Sequence, residues 1–250
     1  MSAFVGTQRD GRVQIVRMNR PDKKNAIDRP MYAAMAAALR AADGDPAIGA
    51  SVIAGVPGAF SAGNDIADFV AIAMGGQPTG EVSEFIDALA TSRKPLVAAV
   101  DGLAIGIGTT MLMHCDMVLA SPRSVFRTPF LDLGLVPEAG SSLLAPRLMG
   151  VRRAYALLVL GEAFDAEAAK AADLVTRIVA EAEVEAAALS AAQSLAAKPP
   201  EALAIGRDLL RAPREELLER IAVETRHFGE RLSSAEARTA FMAFMSKGKG

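Results

Sequence analysis

"PLVAAVDGLAIGIGTTMLMHCDMVLAS", residues 95–121, decides how this chain folds. "LVAAV" is a short apolar run between Pro95 and Asp101-Gly102, the mark of a buried strand. "DGLAIGIG" is a glycine loop, "TTMLMHC" reads as a helix, and "MVLAS" is a second strand. This succession is the unit of an α/β protein. Glycine lets the loop backbone approach a neighbour or a ligand closely. A loop running into a helix start also presents unpaired N–H groups.

Toward the N-terminus, "FVGTQRDGRVQIVRMNRP" reads as a hairpin turning at Asp10-Gly11. "RPMYAAMAAALRAAD", with Pro30 near its start, is a helix. "SVIAG" is a buried strand, "VPGAFSAGNDI" a glycine-rich loop, residues 71–82 a flexible connection, and "EFIDALATSRK" a helix. Toward the C-terminus, "TPFLDLGLVPEAGSS" (128–142) is a loop, because Gly134, Pro137 and Gly140 punctuate it. "SLLAPRLMGVRRAYALLVLG" is mostly helical and "VTRIV" is a last short strand. From about residue 181 the pattern is helical, broken by "KPP" at 198–200 and by Pro213. No internal repeat or low-complexity linker occurs. The division expected is an α/β core over residues 1–180 and a helical region over 181–250.

The chain has 250 residues, 51% of them hydrophobic, enough to bury a sizeable core. A formal charge of −2 gives no bulk attraction for nucleic acid or an anionic membrane. The single cysteine, Cys115, cannot form a disulfide within the chain, which fits a reducing compartment. The first residues lack the apolar core of a signal peptide, and no apolar stretch reaches membrane-spanning length unbroken. The expectation is a soluble, cytoplasmic protein.

Two glycine loops follow strands, "FSAGNDI" (60–66) and "AIGIG" (104–108). Each can cradle an oxyanion, and each can be an ordinary strand-to-helix turn. Neither carries a complete nucleotide signature. Glu138 stands alone among apolar and small residues. It is either a helix-start cap or a base held in a nearly dry pocket. Asp132 is a second acid or a loop-satisfying carboxylate. His114-Cys115 invites a nucleophile–base reading, but adjacent helical residues point apart. Two histidines and one cysteine are too scattered for a standard zinc pattern, so no metal is expected. Ser61 and Ser141 lack an evident triad. Phe69, Met74, Phe126, Phe130 and Leu135 are candidates for an apolar pocket, with Phe130 and Leu135 placed nearest the site.

"FSAGNDI", "VAAVDGLAIGIGTTMLMHCDMVLAS" and "TPFLDLGLVPEAGSSLLAPRLMG" resemble the enoyl-CoA hydratase/isomerase, or crotonase, superfamily. The likeness continues in order through "GEAFDAEAAKAADLVTRIV", "KPPEAL" and "SSAEARTAFMAFMSKGKG". It implies an α/β spiral of strand-strand-helix repeats, then helices that mediate trimerisation. A homotrimer or a dimer of trimers follows. The substrate would be an acyl-CoA thioester, with no further cofactor. The resemblance assigns the enolate's two backbone N–H donors to Asn64 and Ile107. It places Ala62, Asp65, Ile66 and Gly106 near the ligand. Lys23, Lys24 and Lys247 are candidates for the coenzyme A phosphates.

Hydratases of this family use two glutamates, at positions where this chain has Thr110 and Phe130. Neither replaces a carboxylate. Glu138 matches the acid of the Δ3,Δ2-enoyl-CoA isomerase branch. A double-bond shift needs one group, acting first as base and then as acid. The resemblance therefore implies an isomerase. A hydratase-like enzyme and a non-catalytic acyl-CoA-binding subunit are the alternatives.

Overall fold

The structure is a computed structural model that describes residues 2–73, 76, 79–211 and 213–247. Met74 and the side chain of Lys247 lie outside the described residues. Val5–Asp10 (β1) and Val13–Met18 (β2) form the expected hairpin, with Asp10 opposite Val13. The link is therefore Gly11-Arg12 rather than Asp10-Gly11. Arg29–Gly44 (α1) is capped by Asp28, whose carboxylate accepts from Met31 N at 3.0 Å.

Ala50–Ala54 (β3), Ala59–Ser61 (β4), Ile66–Ala73 (α2) and Glu81–Thr91 (α3) come next. The opening passage contributes Leu96–Val100 (β5), Leu103–Ile105 (β6), Ile107–Thr110 (α4) and Met117–Ala120 (β7). Between α4 and β7 the helix tightens to a 3-10 turn, Met111–His114. Val125–Arg127 (β8), Ser141–Leu158 (α5), Phe164–Asp165 (β9), Ala166–Ala171 (α6) and Arg177–Ile178 (β10) complete the α/β part. Val184–Ala196 (α7), Pro200–Leu210 (α8), Arg214–Leu232 (α9) and Ala235–Lys247 (α10) close the chain.

The strands divide between two sheets. One has the order β1-β2-β3-β5-β7-β10, parallel apart from the β1–β2 hairpin. The other has the order β4-β6-β8-β9, parallel apart from β8–β9. Each turn of the spiral leaves one strand in each sheet: β3 then β4, β5 then β6, β7 then β8. This is the strand-strand-helix repeat expected from the sequence.

Four strands differ from the sequence reading, and α2 and α6 were not read from it either. β4 and β6 lie inside stretches read as glycine loops, and β8 and β9 were not anticipated. Each has two or three residues, too few to show a period. Pairing with each other makes them strands, not propensity. In the stretch read as a flexible connection, α2 reaches Ala73 and α3 begins at Glu81.

The large sheet is apolar on both faces, as parallel strands covered on both sides must be. Val52, Val97 and Leu119 meet Val184, Ala188 and Ala192 of α7. Alanines on that helix let it sit close to the sheet. On the opposite face Ile53, Leu96 and Ala98 join α1, α3 and the small sheet, with Met31, Leu39, Leu89, Phe60 and Phe126 in one cluster.

Gly102 joins β5 to β6 with φ of +81°, and a Cβ there would overlap the Gly58 carbonyl. Gly102→Ala is expected to destabilise the fold by ~2 kcal/mol or more. Gly206, inside α8, has open space around it. Gly206→Ala is expected to add ~0.5–1 kcal/mol through helix propensity. Urea unfolding of both variants checks the pair of signs.

Candidate active site

Parallel pairing of β4 with β6 brings the loops that leave their carboxyl ends together. A Cβ on Gly63 would lie 2.8 Å from the Ile105 carbonyl oxygen, and one on Gly108 would lie 2.9 Å from that of Ser61. Glycine is what permits this approach. The first loop is fixed by its neighbours. Ser61 Oγ donates to Asn25 O at 2.9 Å and accepts from Gly63 N at 3.1 Å. Ala62 N donates to Lys24 O, Ile27 N to Gly63 O, and Asp65 N to Ile27 O. Tyr32 Oη donates to Asn64 Oδ1 at 2.6 Å. In the second loop Gly106 N donates to Arg127 O at 2.8 Å.

Asn64 and Ile107 carry the two N–H groups that the resemblance singles out. Among the described residues, neither Asn64 N–H nor Ile107 N–H has a hydrogen-bond partner. The Ile107 side chain is fully buried. Buried N–H groups without partners are rare in folded proteins. The Asn64 and Ile107 N–H groups lie on adjoining loops.

Glu138 comes from the segment that follows β8. Its side chain is only 5% exposed, and Oε1 accepts from Thr110 Oγ1 at 2.7 Å. Thr110 lies three residues after Ile107, so α4 carries both a free N–H and the hydroxyl that holds the acid. Burial raises the proton affinity of Glu138, the Thr110 hydrogen bond opposes this, and the Glu224 charge adds to it. The net pKa is about 8, from an ordinary value of 4.5. Ala139 and Gly140 follow with φ of +60° and +72°, a left-handed turn into α5. His114 Nε2 donates to Ala139 O at 2.7 Å.

The helix cap that one reading gave to Glu138 is made by a different carboxylate. Glu224, on α9 and 5% exposed, accepts from Gly140 N at 2.6 Å and from Ser142 N at 2.9 Å. Sequence reasoning missed it. Eighty-four residues separate it from Gly140, and within α9 it reads as one polar residue among many.

A model of the enoyl-CoA hydratase/isomerase family matches residues 8–250. The chain belongs to that family. Enoyl-CoA delta isomerase 2 of Homo sapiens is 35% identical over 251 residues, covering 98% of this chain and 63% of its own length. The chain thus spans under two thirds of that relative. A Rhizobium meliloti (strain 1021) protein named as a probable enoyl-CoA hydratase is 33% identical, over 96% of this chain and 93% of its own. The solved structure of Pseudomonas aeruginosa OdaA superposes with a TM-score of 0.92 at 40% identity, covering 98% and 99% of the two chains. Hydratase and isomerase names both occur among the relatives.

The other candidates in this enoyl-CoA hydratase/isomerase chain divide clearly. Phe130 and Leu135 are buried in the cluster that holds Ile107, Met111 and Ala139. Ala62, Asp65 and Ile66 flank the unpaired Asn64 N–H. Burial raises the Asp65 pKa, but the Ala67 N–H and Arg20 outweigh it, and Arg20 lies at 2.7 Å. Lys23 and Lys24 are exposed on the turn that holds Ala62. Asp132 is at the surface, paired with Arg127 at 2.9 Å. Burial pushes His114 down to about 4 and Cys115 up to about 12, so a neutral imidazole stands beside an inert thiol. Phe69 packs edge-on against Phe228 of α9, with ring centroids 5.8 Å apart, and also against Phe241 of α10. Among the described residues no cluster of three His, Cys, Asp or Glu could hold a metal. No helix is long and apolar enough to cross a membrane.

An open cavity of about 1040 Å³ lies between α5, α8 and the 3-10 turn, but Glu138 is not in its wall. The chemistry is located by hydrogen bonds and burial, not by that cavity.

The folded chain keeps the Glu138 proton up to about pH 8, whereas the unfolded chain releases it near 4.5. The folded state binds the extra proton between those values, so stability falls as pH rises through that window and levels off above it. Glu138→Gln keeps an acceptor for Thr110 and removes the buried charge. At pH above about 8 the variant is expected to exceed wild type by ~1–2 kcal/mol, or roughly 2–8 °C in Tm. The gain should vanish toward about pH 4. Calorimetry across pH checks both the sign and the window.

Proposed function

We propose that the protein is a Δ3,Δ2-enoyl-CoA isomerase. The Glu138 carboxylate removes a proton from C2 of a 3-enoyl-CoA thioester. The electron pair moves onto the thioester oxygen, which the Asn64 and Ile107 N–H groups receive. The electrons return, the C4 carbon takes the proton from Glu138, and the double bond ends between C2 and C3. One group thus acts as base and then as acid. Two donors aimed at one oxygen stabilise the intermediate charge without reorganising.

The observation that carries this reading is the environment of Glu138. It is a buried carboxyl whose proton affinity lies near neutrality, bonded to a hydroxyl instead of a second acid. Hydration would need a partner to activate water. Thr110 and Phe130 stand where the resemblance puts the two hydratase glutamates, and Glu224 is already engaged by two backbone N–H groups. Ala62, Asp65, Ile66 and Gly106 would line the thioester and coenzyme A side, and Phe130 and Leu135 the acyl side. The assembly proposed is a homotrimer or a dimer of trimers. Leu209 and Leu210, 80% and 90% exposed on α8, support an apolar contact between copies.

The test is conversion of trans-3-hexenoyl-CoA to the conjugated 2-enoyl thioester, followed by absorbance. Wild type should convert it, and Glu138→Gln should lose about 10²–10⁴-fold. Because the base must be ionised, kcat/KM should climb with pH and level off above about 8. Binding without conversion would contradict the isomerase reading and favour another acyl-CoA role. Conversion that survives the substitution would mean that Glu138 is not the base.

A further inference from the structure

We infer that Glu224 is the positioning residue of the base, holding the Glu138–Ala139–Gly140 turn through the Gly140 and Ser142 N–H groups. The inference rests on the reading of Glu138 as the base. Its first ground is the spacing of α9. Leu217, Ile221 and Glu224 recur at helical intervals and so share one face of that helix. All three meet the turn. The Leu217 and Ile221 side chains back onto Gly140, where a Cβ would be 2.5 and 3.3 Å from them. Glu224 supplies the hydrogen bonds at the same point, and both of its oxygens are used.

The second ground is the accounting of donors. Ser141 N donates to the Glu138 carbonyl at 3.1 Å. Gly140 N and Ser142 N are the remaining donors where α5 begins, and Glu224 takes both. Without it, the buried Gly140 N–H and the part-buried Ser142 N–H, directly after the base, would lose their partners. The turn is costly in itself, because Ala139, a residue with a Cβ, sits at φ of +60°. His114 holds its carbonyl and Glu224 holds the next N–H, and together they keep the turn left-handed.

The third ground is charge. Thr110 from α4, Tyr32 from α1, His114 from the 3-10 turn and Glu224 from α9 surround Glu138 and its turn. Thr110 does not titrate. Tyr32 is kept protonated by burial first, then by Glu138 and Asp68. His114 is neutral. Glu224 is therefore the remaining acid of this set, and its charge raises the proton affinity of Glu138. Burial raises the proton affinity of Glu224 itself and outweighs Ser142, Gly140 and Arg220, which favour the ionised form. Arg220 also donates to Ser142 Oγ at 3.3 Å.

Glu224→Gln removes the charge and leaves one acceptor for two donors. The test follows the Glu138 carboxyl by 13C NMR of glutamate-labelled protein, assigned by its absence in Glu138→Gln, so no substrate is needed. The Glu138 midpoint should fall below the wild-type value of about 8. On trans-3-hexenoyl-CoA, kcat should drop about 10–10²-fold while KM stays within about two-fold. Ser142→Pro is the second variant, because proline is tolerated in the first helical turn. It removes the Ser142 N–H and hydroxyl but leaves the Glu224 carboxyl in place, so kcat should fall while the Glu138 midpoint drops less than in Glu224→Gln. A Glu224→Gln protein with an unchanged Glu138 midpoint overturns the proposal, whether its kcat is normal or its loss is confined to thermal stability. If wild type turns over no 3-enoyl thioester while the midpoint still moves, the isomerase reading fails and the positioning role stands.

Discussion

A carboxyl group kept almost dry must have its oxygens bonded without being neutralised, and that requirement organises this molecule. An arginine or lysine beside Glu138 would hold it ionised at low pH and make it a poor base. Thr110 supplies a hydrogen bond with no charge. The placement of Thr110 depends on α4, α4 follows β6, and β6 is a strand only because β4 and β8 flank it. The small sheet is thus the foundation of the Glu138 setting as well as of the paired glycine loops.

The same arrangement explains why three separate segments converge. Parallel strands leave their carboxyl ends on one edge, and in open α/β sheets that edge is where ligands bind. The β4 loop brings the Asn64 N–H and the β6 loop the Ile107 N–H. The segment after β8 brings Glu138. α9, almost at the end of the chain, closes the construction by taking the N–H groups that begin α5. A buried carboxyl with a pKa of about 8 costs folding stability at neutral pH, and the surrounding core has to offset it.

Much of this was legible in the sequence. The runs "LVAAV" and "MVLAS" announced strands, and "KPP" and Pro213 marked where the terminal helices break. The short strands β4, β6 and β8 were not legible, because their strand character comes from pairing across the spiral and not from local pattern. At the site, the isolation of Glu138 was visible, but the choice between cap and base was not. The cap itself is made by Glu224, which reaches it from far along the chain. Asn64 and Ile107 entered through family resemblance alone, and the unpaired state of their N–H groups is visible only in three dimensions. Thr110 was read as a missing glutamate. Its hydroxyl proves to be the partner of the remaining one.

The central claim is that a single buried acid carries the proton from C2 to C4. The most direct measurement uses a 3-enoyl-CoA deuterated at C2, converted in ordinary water, with the label located in the product by mass spectrometry after short reaction times. Glu138 is shielded from solvent, so a measurable share of the product should carry deuterium at C4. A product whose added C4 hydrogen comes wholly from solvent at the earliest times would contradict the account and require a second proton donor.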